Sequence, residues 1–407
     1  MNPVLVMKFG GSSLADPAKI GAVADLVIRR RDAGRRVVVV VSAMGKTTDG
    51  LIEQSRSFTT EPDLREMDML LTAGERISSA LVAIALNARG AKAVSLTGSQ
   101  AGIITDDNHT NARIVEIRPY RVQKALDEGN IVVIGGFQGV SFTKEVTTLG
   151  RGGSDTSAVA LASALDAPEC EIYSDVTGVF AADPRVIKEP AKIAALGYQE
   201  MQELAEAGAK VLHPKAVEFA KIKGTVINCK NTFAPEAEGT LIANLEGRVK
   251  PRVVGIATEE KVVLVHAYED NAGSLATVES VVAFAESRNL RVKQIAFHRG
   301  RGQGMVGSFI IPEKENYHLA PLLREMKDRF GDALDIHEQF GALSLVGAGI
   351  TERHDYLEQS IRLLKQHGIA AGSFHTTSFR ISMLIERGRL AEAARLFYDR
   401  FIAPNIL

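Results

Sequence analysis

The chain has 407 residues, 45% of them apolar and 24% charged, with 48 Lys and Arg against 49 Asp and Glu. Such a length exceeds one ordinary hydrophobic core and implies two or three domains. A net charge of -1 offers no basic surface that would point to nucleic acid or a membrane as partner. Cys170 and Cys229 form no CxxC pair and have no His at metal-ligand spacing, so they read as buried free thiols in a reducing compartment. No signal-peptide pattern opens the sequence and no apolar run reaches the roughly 18 residues of a membrane span, so the expectation is a soluble, cytoplasmic protein.

In chain order, Val4–Phe9 reads as a strand and Pro17–Gly34 as a helix capped by Asp16, opened by Pro17 and ended by Gly34. Val37–Ser42, five valines and a serine, fits a central strand buried on both faces. Asp63–Asn87 is a long helical stretch, expected to break at Thr72-Ala73-Gly74. Ile131–Phe137 and Glu171–Ser174 read as further buried strands, Ser154–Leu165 and Tyr198–Gly208 as helices, and a strand around Val226–Asn228 closes the region. This alternation predicts an α/β domain, a mainly parallel sheet between helical layers.

Pro, Gly and charge replace periodic apolar residues over Pro235–Pro251, which places a domain boundary there. Beyond it one order of elements occurs twice. Val262–His266, Ser274–Arg288, Val292–Phe297, Val306–Ile311 and Leu319–Phe330 read strand, helix, strand, strand, helix. Ala342–Val346, His354–His367, Ser373–Thr376, Phe379–Ile385 and Leu390–Phe401 repeat that order, which fits two ferredoxin-like units. The expected domains are 1–242, a linker at 243–260, then 261–340 and 341–407.

Two glycine loops are suited to phosphate. Phe9-Gly10-Gly11-Ser12-Ser13 joins the first strand to the first helix, where glycines let backbone N–H groups approach an anion and Lys8 adds a full charge. A tight turn without a ligand explains such a junction as well. Thr147–Thr156 combines Arg151, Gly152, Gly153 and Asp155 ahead of a helix, a concentration that a plain surface turn rarely has. GxxxxGK[ST] occurs nowhere, and neither do the protein-kinase HRD and DFG motifs, so a phosphoryl-transfer enzyme here is neither a P-loop enzyme nor a protein kinase.

Six segments in order resemble the aspartate kinases of the amino-acid kinase fold. They are Lys8–Ser13, Val38–Asp49, Leu71–Arg76, Thr148–Thr156, Ser174–Phe180 with Ala182–Arg185, and Gly208–Pro214. The resemblance implies transfer of the γ-phosphoryl group of ATP, with Mg²⁺, to the side-chain carboxylate of L-aspartate. It gives Lys8 and Lys210 the task of stabilising the transferring group, with Asp155 holding the lysines. It carries aspartate binding to Ser42, Thr47, Glu75 and Arg151, with Gly152, Gly153 and Ser154 beside them. Nucleotide contacts fall to Lys8, Gly10, Gly11, Ser12, Ser174, Asp175, Phe180, Arg185 and Lys210. No protein cage for the metal is visible, so ATP and water would hold it. Three positions depart from the family: Ser174 for Thr, Phe180 for Tyr, and Thr177 for a frequent Asp.

The tail resembles a pair of ACT domains, which bind free amino acids and support homodimers or larger assemblies. Asp270, Gly273 and Ser274 match the family's effector loop, although its Lys-Pro pair is replaced by Asn271-Ala272. Lysine and threonine are the effectors this implies; a tail that chiefly dimerises is the other reading. Two functional alternatives stand beside the kinase: an enzyme of the same fold acting on another small carboxylate, and a catalytically silent amino-acid sensor.

Overall fold

Valine-rich strands lie at the centre of the N-terminal unit. The computed structural model describes residues 2–150, 152–209, 211–245, 251–269, 275–288, 290–299, 304–316 and 319–405. The chain forms two units, one of Met1–Phe180, Lys192–Glu206 and Lys210–Val249, the other of Ala181–Ala191, Ala207–Ala209 and Lys250–Leu407.

The first unit runs β1 (Val4–Phe9), α1 (Pro17–Asp32), β2 (Arg36–Val41), α2 (Thr47–Arg56), α3 (Leu64–Asn87), β3 (Ala93–Leu96), β4 (Ile103–Thr105) and β5 (Ile114–Ile117). It continues through α4 (Tyr120–Asp127), β6 (Ile131–Gly135), β7 (Gln138–Ser141), β8 (Val146–Thr148), α5 (Gly153–Ala164) and β9 (Glu169–Ser174). It ends with β10 (Ala195–Gly197), α6 (Tyr198–Glu206), α7 (Pro214–Lys223), β11 (Val226–Asn231) and β12 (Thr240–Ala243). The main sheet has the order β10-β12-β11-β9-β1-β2-β6-β3, and a smaller one the order β5-β4-β7-β8.

Strands β11, β9, β1, β2, β6 and β3 are mutually parallel. Alternation along β1 divides its chemistry between two faces. Met7 and Phe9 join Val39, Val41, Val82 and Leu86 in a core beneath α1 and α3, whereas Lys8 points to the opposite face, against α5. Each fully buried Val or Leu contributes about 1.5–3 kcal/mol, so this core fixes β1 firmly beneath Lys8.

Helix α1 starts as its sequence implies, with the Asp16 carboxylate accepting from the Lys19 N–H at 2.9 Å. The expected break at Thr72-Ala73-Gly74 does not occur, and α3 is continuous for 24 residues. Gly74 serves close approach instead: a Cβ there would lie 2.8 Å from Ala43 Cβ, so the glycine brings the helix onto the chain leaving β2. Length and apolar composition would let α3 span a bilayer, but it buries Asp68, Thr72, Glu75 and Ser78 among the sheet strands. The strand near Val226 is longer than expected and does not close the sheet, because β12 pairs antiparallel with it and β10 follows outside. β12 forms within the Pro- and Gly-rich stretch read as a boundary.

In the second unit, β13 (Gly255–Glu269) is followed by α8 (Ala276–Ser287), β14 (Lys293–Arg299), β15 (Met305–Pro312), α9 (Leu319–Phe330) and β16 (Leu334–Val346). Then come α10 (Asp355–Gln366), β17 (Ala371–Thr376), β18 (Arg380–Glu386) and α11 (Arg387–Phe401). The repeated order of elements is present, but the strands form one six-stranded sheet, β14-β15-β13-β16-β18-β17. Each repeat lacks a last strand in its own stretch of sequence and takes it from a long shared strand. Val262–Glu269 lies between β15 and the first part of β16, whereas Gly255–Glu259 pairs with Ala342–Val346. Register shifts between Glu259 and Leu264 mark the handover. β13 therefore begins at Gly255, inside the stretch expected to be a linker.

Candidate active site

Four parallel strands end side by side, and the chain leaving each carries polar or glycine residues. Gly10-Gly11 follows β1, Ser42 follows β2, Gly136 follows β6, and Asp175 follows β9. Strand order reverses at β1, since β2 lies on one side and β9 on the other. Open α/β sheets bind ligands outside the carboxyl ends of strands at such a point.

Lys8 supplies the charge there. Its Nζ lies 2.6 Å from Asp155 Oδ1, and both side chains are only 12% exposed. Asp155 stands in the first turn of α5, which opens at Gly152 in the left-handed region, φ 70° and ψ 8°. A Cβ at Gly152 would come within 2.6–2.8 Å of the His213 ring, so this glycine is required both by its backbone and by its neighbour. Gly152→Ala is expected to lower kcat/KM more than tenfold and to reduce the melting temperature, since left-handed backbone costs a non-glycine residue about 1–2 kcal/mol before the clash. Kinetics and thermal unfolding of that variant check this.

The first glycine loop is held on both sides. Gly10 N–H donates to Tyr173 C=O at 3.2 Å and Gly45 N–H to Gly11 C=O at 3.0 Å. A Cβ on Gly11 would lie 2.7 Å from the Ala43 carbonyl oxygen, which excludes any side chain. Ser12 is exposed. Ser13 is buried instead, its hydroxyl 2.6 Å from that of Thr232.

Glu75 projects from α3 toward the chain after β2. It is 3% exposed, and Oε1 accepts from the Ala43 N–H at 3.0 Å while Oε2 is buried with no hydrogen-bond partner among the described residues. Burial is the largest influence on its carboxyl and pushes the pKa up to about 7, against the lowering effect of the Ala43 N–H. A buried carboxylate with one oxygen unused by any described residue is suited to a cationic ligand group. Thr47, at the start of α2, donates its hydroxyl to Met44 C=O at 2.7 Å, and Ser42 is half-buried at the end of β2.

The profile of the amino acid kinase family matches residues 3–231. Aspartokinase of Corynebacterium efficiens is 42% identical over 98% of this chain and 96% of its own length. That of Geobacillus stearothermophilus is 40% identical over 98% and 97%. The chain belongs to the aspartokinase family. Among solved structures, E. coli aspartokinase III in complex with aspartate and ADP superposes with a TM-score of 0.82, at 22% identity over 97% of this chain and 99% of that one. The same enzyme with lysine and aspartate gives 0.73 at 22% identity, over 98% and 99%. Both show a shared fold.

At the end of β9 in this aspartokinase-family chain, Ser174 Oγ accepts from the Val176 N–H at 3.3 Å, and Asp175 is exposed. Phe180 is half-buried and bridges to Lys192. Two residues of β11 and its end, overlooked in the sequence, hold this strand end. Asn231 Nδ2 donates to Asp175 C=O at 3.3 Å and to Thr177 Oγ1 at 3.2 Å. Thr232 donates its N–H to Ser174 C=O at 2.9 Å and its hydroxyl at 3.0 Å, besides touching Ser13. Thr232 thus ties the first glycine loop to the end of β9. Only its place at a strand terminus signalled this.

Gly153 and Ser154 are buried at the start of α5. Arg185 belongs to the second unit, where Asp183 accepts from its backbone N–H at 2.9 Å and pairs with its guanidinium. Arg151, Lys210, Asp270, Gly273 and Ser274 lie outside the described residues.

Proposed function

We propose that this chain transfers the γ-phosphoryl group of ATP to the β-carboxylate of L-aspartate. Full-length identity of about 40% to aspartokinases supports the activity, and the observation that carries the mechanism is the Lys8–Asp155 pair at the carboxyl ends of the strands. A carboxylate oxygen of aspartate forms the new bond to the γ-phosphorus. The bond from phosphorus to the β,γ-bridging oxygen breaks, and ADP leaves with the electron pair. The acceptor is already ionised at neutral pH, so no general base is needed. Two anions must be brought together, which makes charge neutralisation and positioning the main tasks.

Lys8 meets the transferring group, with Asp155 fixing its ammonium. Glu75 receives the α-ammonium of aspartate, Arg151 clamps a carboxylate, and Ser42 and Thr47 orient the remainder. The Gly11 amide and the Lys210 side chain serve the phosphates, Gly10 allows their close approach while its own N–H stays on Tyr173 C=O, and Ser174, Asp175 and Phe180 serve the nucleoside. Among the described residues no group of three or more His, Cys, Asp or Glu is placed to hold a metal ion. As the family resemblance implies, Mg²⁺ would be held largely by ATP and water and would supply shielding of the phosphate charge. The second unit is read as an amino-acid-sensing, dimerising module for lysine or threonine.

Acyl phosphates react with hydroxylamine, so incubation with ATP, Mg²⁺ and aspartate is expected to give a hydroxamate in step with ADP. Glutamate in place of aspartate is expected to give less than a tenth of that rate. Equal rates, or ADP without hydroxamate, would refute the substrate assignment.

A further inference from the structure

Asp68 is a buried acid that the proposed chemistry does not use. Its side chain is fully buried on α3, two helical turns before Glu75 and on the same inward side. Its carboxylate gathers donors from two other segments. Thr148 donates its hydroxyl to Oδ1 at 2.5 Å, His109 Nδ1 lies 2.7 Å from Oδ2, and Thr110 N–H reaches both oxygens at 3.0 and 3.1 Å. Thr110 is β-branched yet has φ 64°, backbone that such a residue adopts only when its surroundings impose it.

Both tethered segments adjoin the second glycine loop. Thr148 is the last residue of β8, and its carbonyl accepts from the Ala112 N–H at 2.8 Å. A Cβ on Gly150 would lie 3.3 Å from Asn111 Oδ1 and 3.4 Å from Thr110 C=O, so the 109–111 segment forms the wall behind that glycine. Arg151 is next in sequence. One acid therefore joins the helix carrying Glu75, the wall and the end of β8. Deleting it frees three partners at once, in surroundings where each lost bond leaves a poorly hydrated donor.

We infer that Asp68, with Thr148 and the His109-Thr110 segment, is a positioning residue that sets the aspartate side of the site by fixing the end of β8 and Gly150 against α3, the helix that carries Glu75. This rests on the reading of Arg151 as the carboxylate clamp. Asp68 need not touch substrate; it acts through the loop, so its loss falls on aspartate KM rather than on ATP.

The test is steady-state kinetics of the full-length enzyme, varying aspartate and ATP separately, for D68N, T148V, T148S and Arg151→Ala. Expected are a rise in aspartate KM of at least fivefold for D68N and T148V and an ATP KM within twofold of wild type. T148S, which keeps the hydroxyl, is expected to remain close to wild type. T148V is nearly isosteric and keeps the test meaningful if D68N folds poorly. Unchanged aspartate KM in D68N and T148V beside a raised value in Arg151→Ala would overturn the inference alone. A normal aspartate KM in Arg151→Ala would sink the clamp and this inference with it. Parallel loss on both substrates would make Asp68 merely structural and also overturn it.

Discussion

Lys8→Ala is expected to lower kcat by about a thousandfold or more while ATP still binds. Removing one neutral preorganised donor from a site of developing charge already costs about 10²–10³ in rate, and Lys8 offers a full charge held 2.6 Å from its own counter-ion. The lost interaction is strongest when negative charge is spread over the transferring group, so the effect belongs on kcat rather than on KM. Stability responds differently. The truncation leaves Asp155 nearly buried without its lysine, at a cost of about 1–3 kcal/mol. K8M combined with D155N removes both charges and should recover most of that stability without recovering turnover. Stopped-time ADP assays and urea unfolding of both variants separate the two effects. Normal kcat in Lys8→Ala would remove Lys8 from the chemistry.

The catalytic unit was legible in the sequence wherever one residue's chemistry had a local signature. Five valines announced β2, Asp16-Pro17 announced α1, and glycines beside Lys8 and Asp155 announced the two loops. Gly74 misled because a glycine inside a helical pattern has two physical meanings. Reading it as a break assigns it to the helix's own backbone, whereas it is Ala43, on the chain leaving β2, that excludes a side chain there. Thr232, Asn231 and Asp68 were overlooked for a related reason. Their partners are Ser13, Asp175 and Thr148, brought near only by the parallel sheet and by α3 crossing it.

In the second unit the repeat was legible but its strand sharing was not. Val262–His266 and Ala342–Val346 are recognisable as apolar runs, while their extensions, Gly255–Glu259 and Leu334–Phe340, carry polar residues that weaken the pattern. Sharing leaves neither repeat with a complete sheet of its own, because each four-stranded half needs one part of β13 and one part of β16. A disturbance at the register shift between Glu259 and Leu264 is therefore felt by both halves. Strand sharing thus couples the two halves of the sheet mechanically.

Glu75→Gln is expected to raise aspartate KM about a hundredfold and to remove most of its pH dependence below neutrality. In the ligand-free enzyme the Glu75 carboxyl titrates near pH 7 because burial disfavours its charge. Only the ionised form pairs with an ammonium, so kcat/KM for wild type should climb about tenfold per pH unit below 7 and level off above. Charge-assisted hydrogen bonds of this kind contribute about 1.5–3 kcal/mol, which sets the size of the KM effect. The same shift works against the empty protein. Because the folded pKa is raised above the unfolded value of 4.5, the native state retains a proton that the unfolded chain has released. Its stabilising contribution is full below about pH 4.5 and is lost as pH rises through 7, on the order of 3 kcal/mol in all. The neutral amide of E75Q carries no such penalty. The stability of E75Q relative to wild type should therefore grow between pH 5 and 8 without aspartate and shrink when saturating aspartate supplies the counter-charge. Thermal unfolding of both proteins across that range, with and without substrate, measures the crossing directly. A difference independent of pH would show that Glu75 ionises normally in the folded enzyme, and the assignment of its buried carboxylate to the substrate ammonium would lose its physical basis.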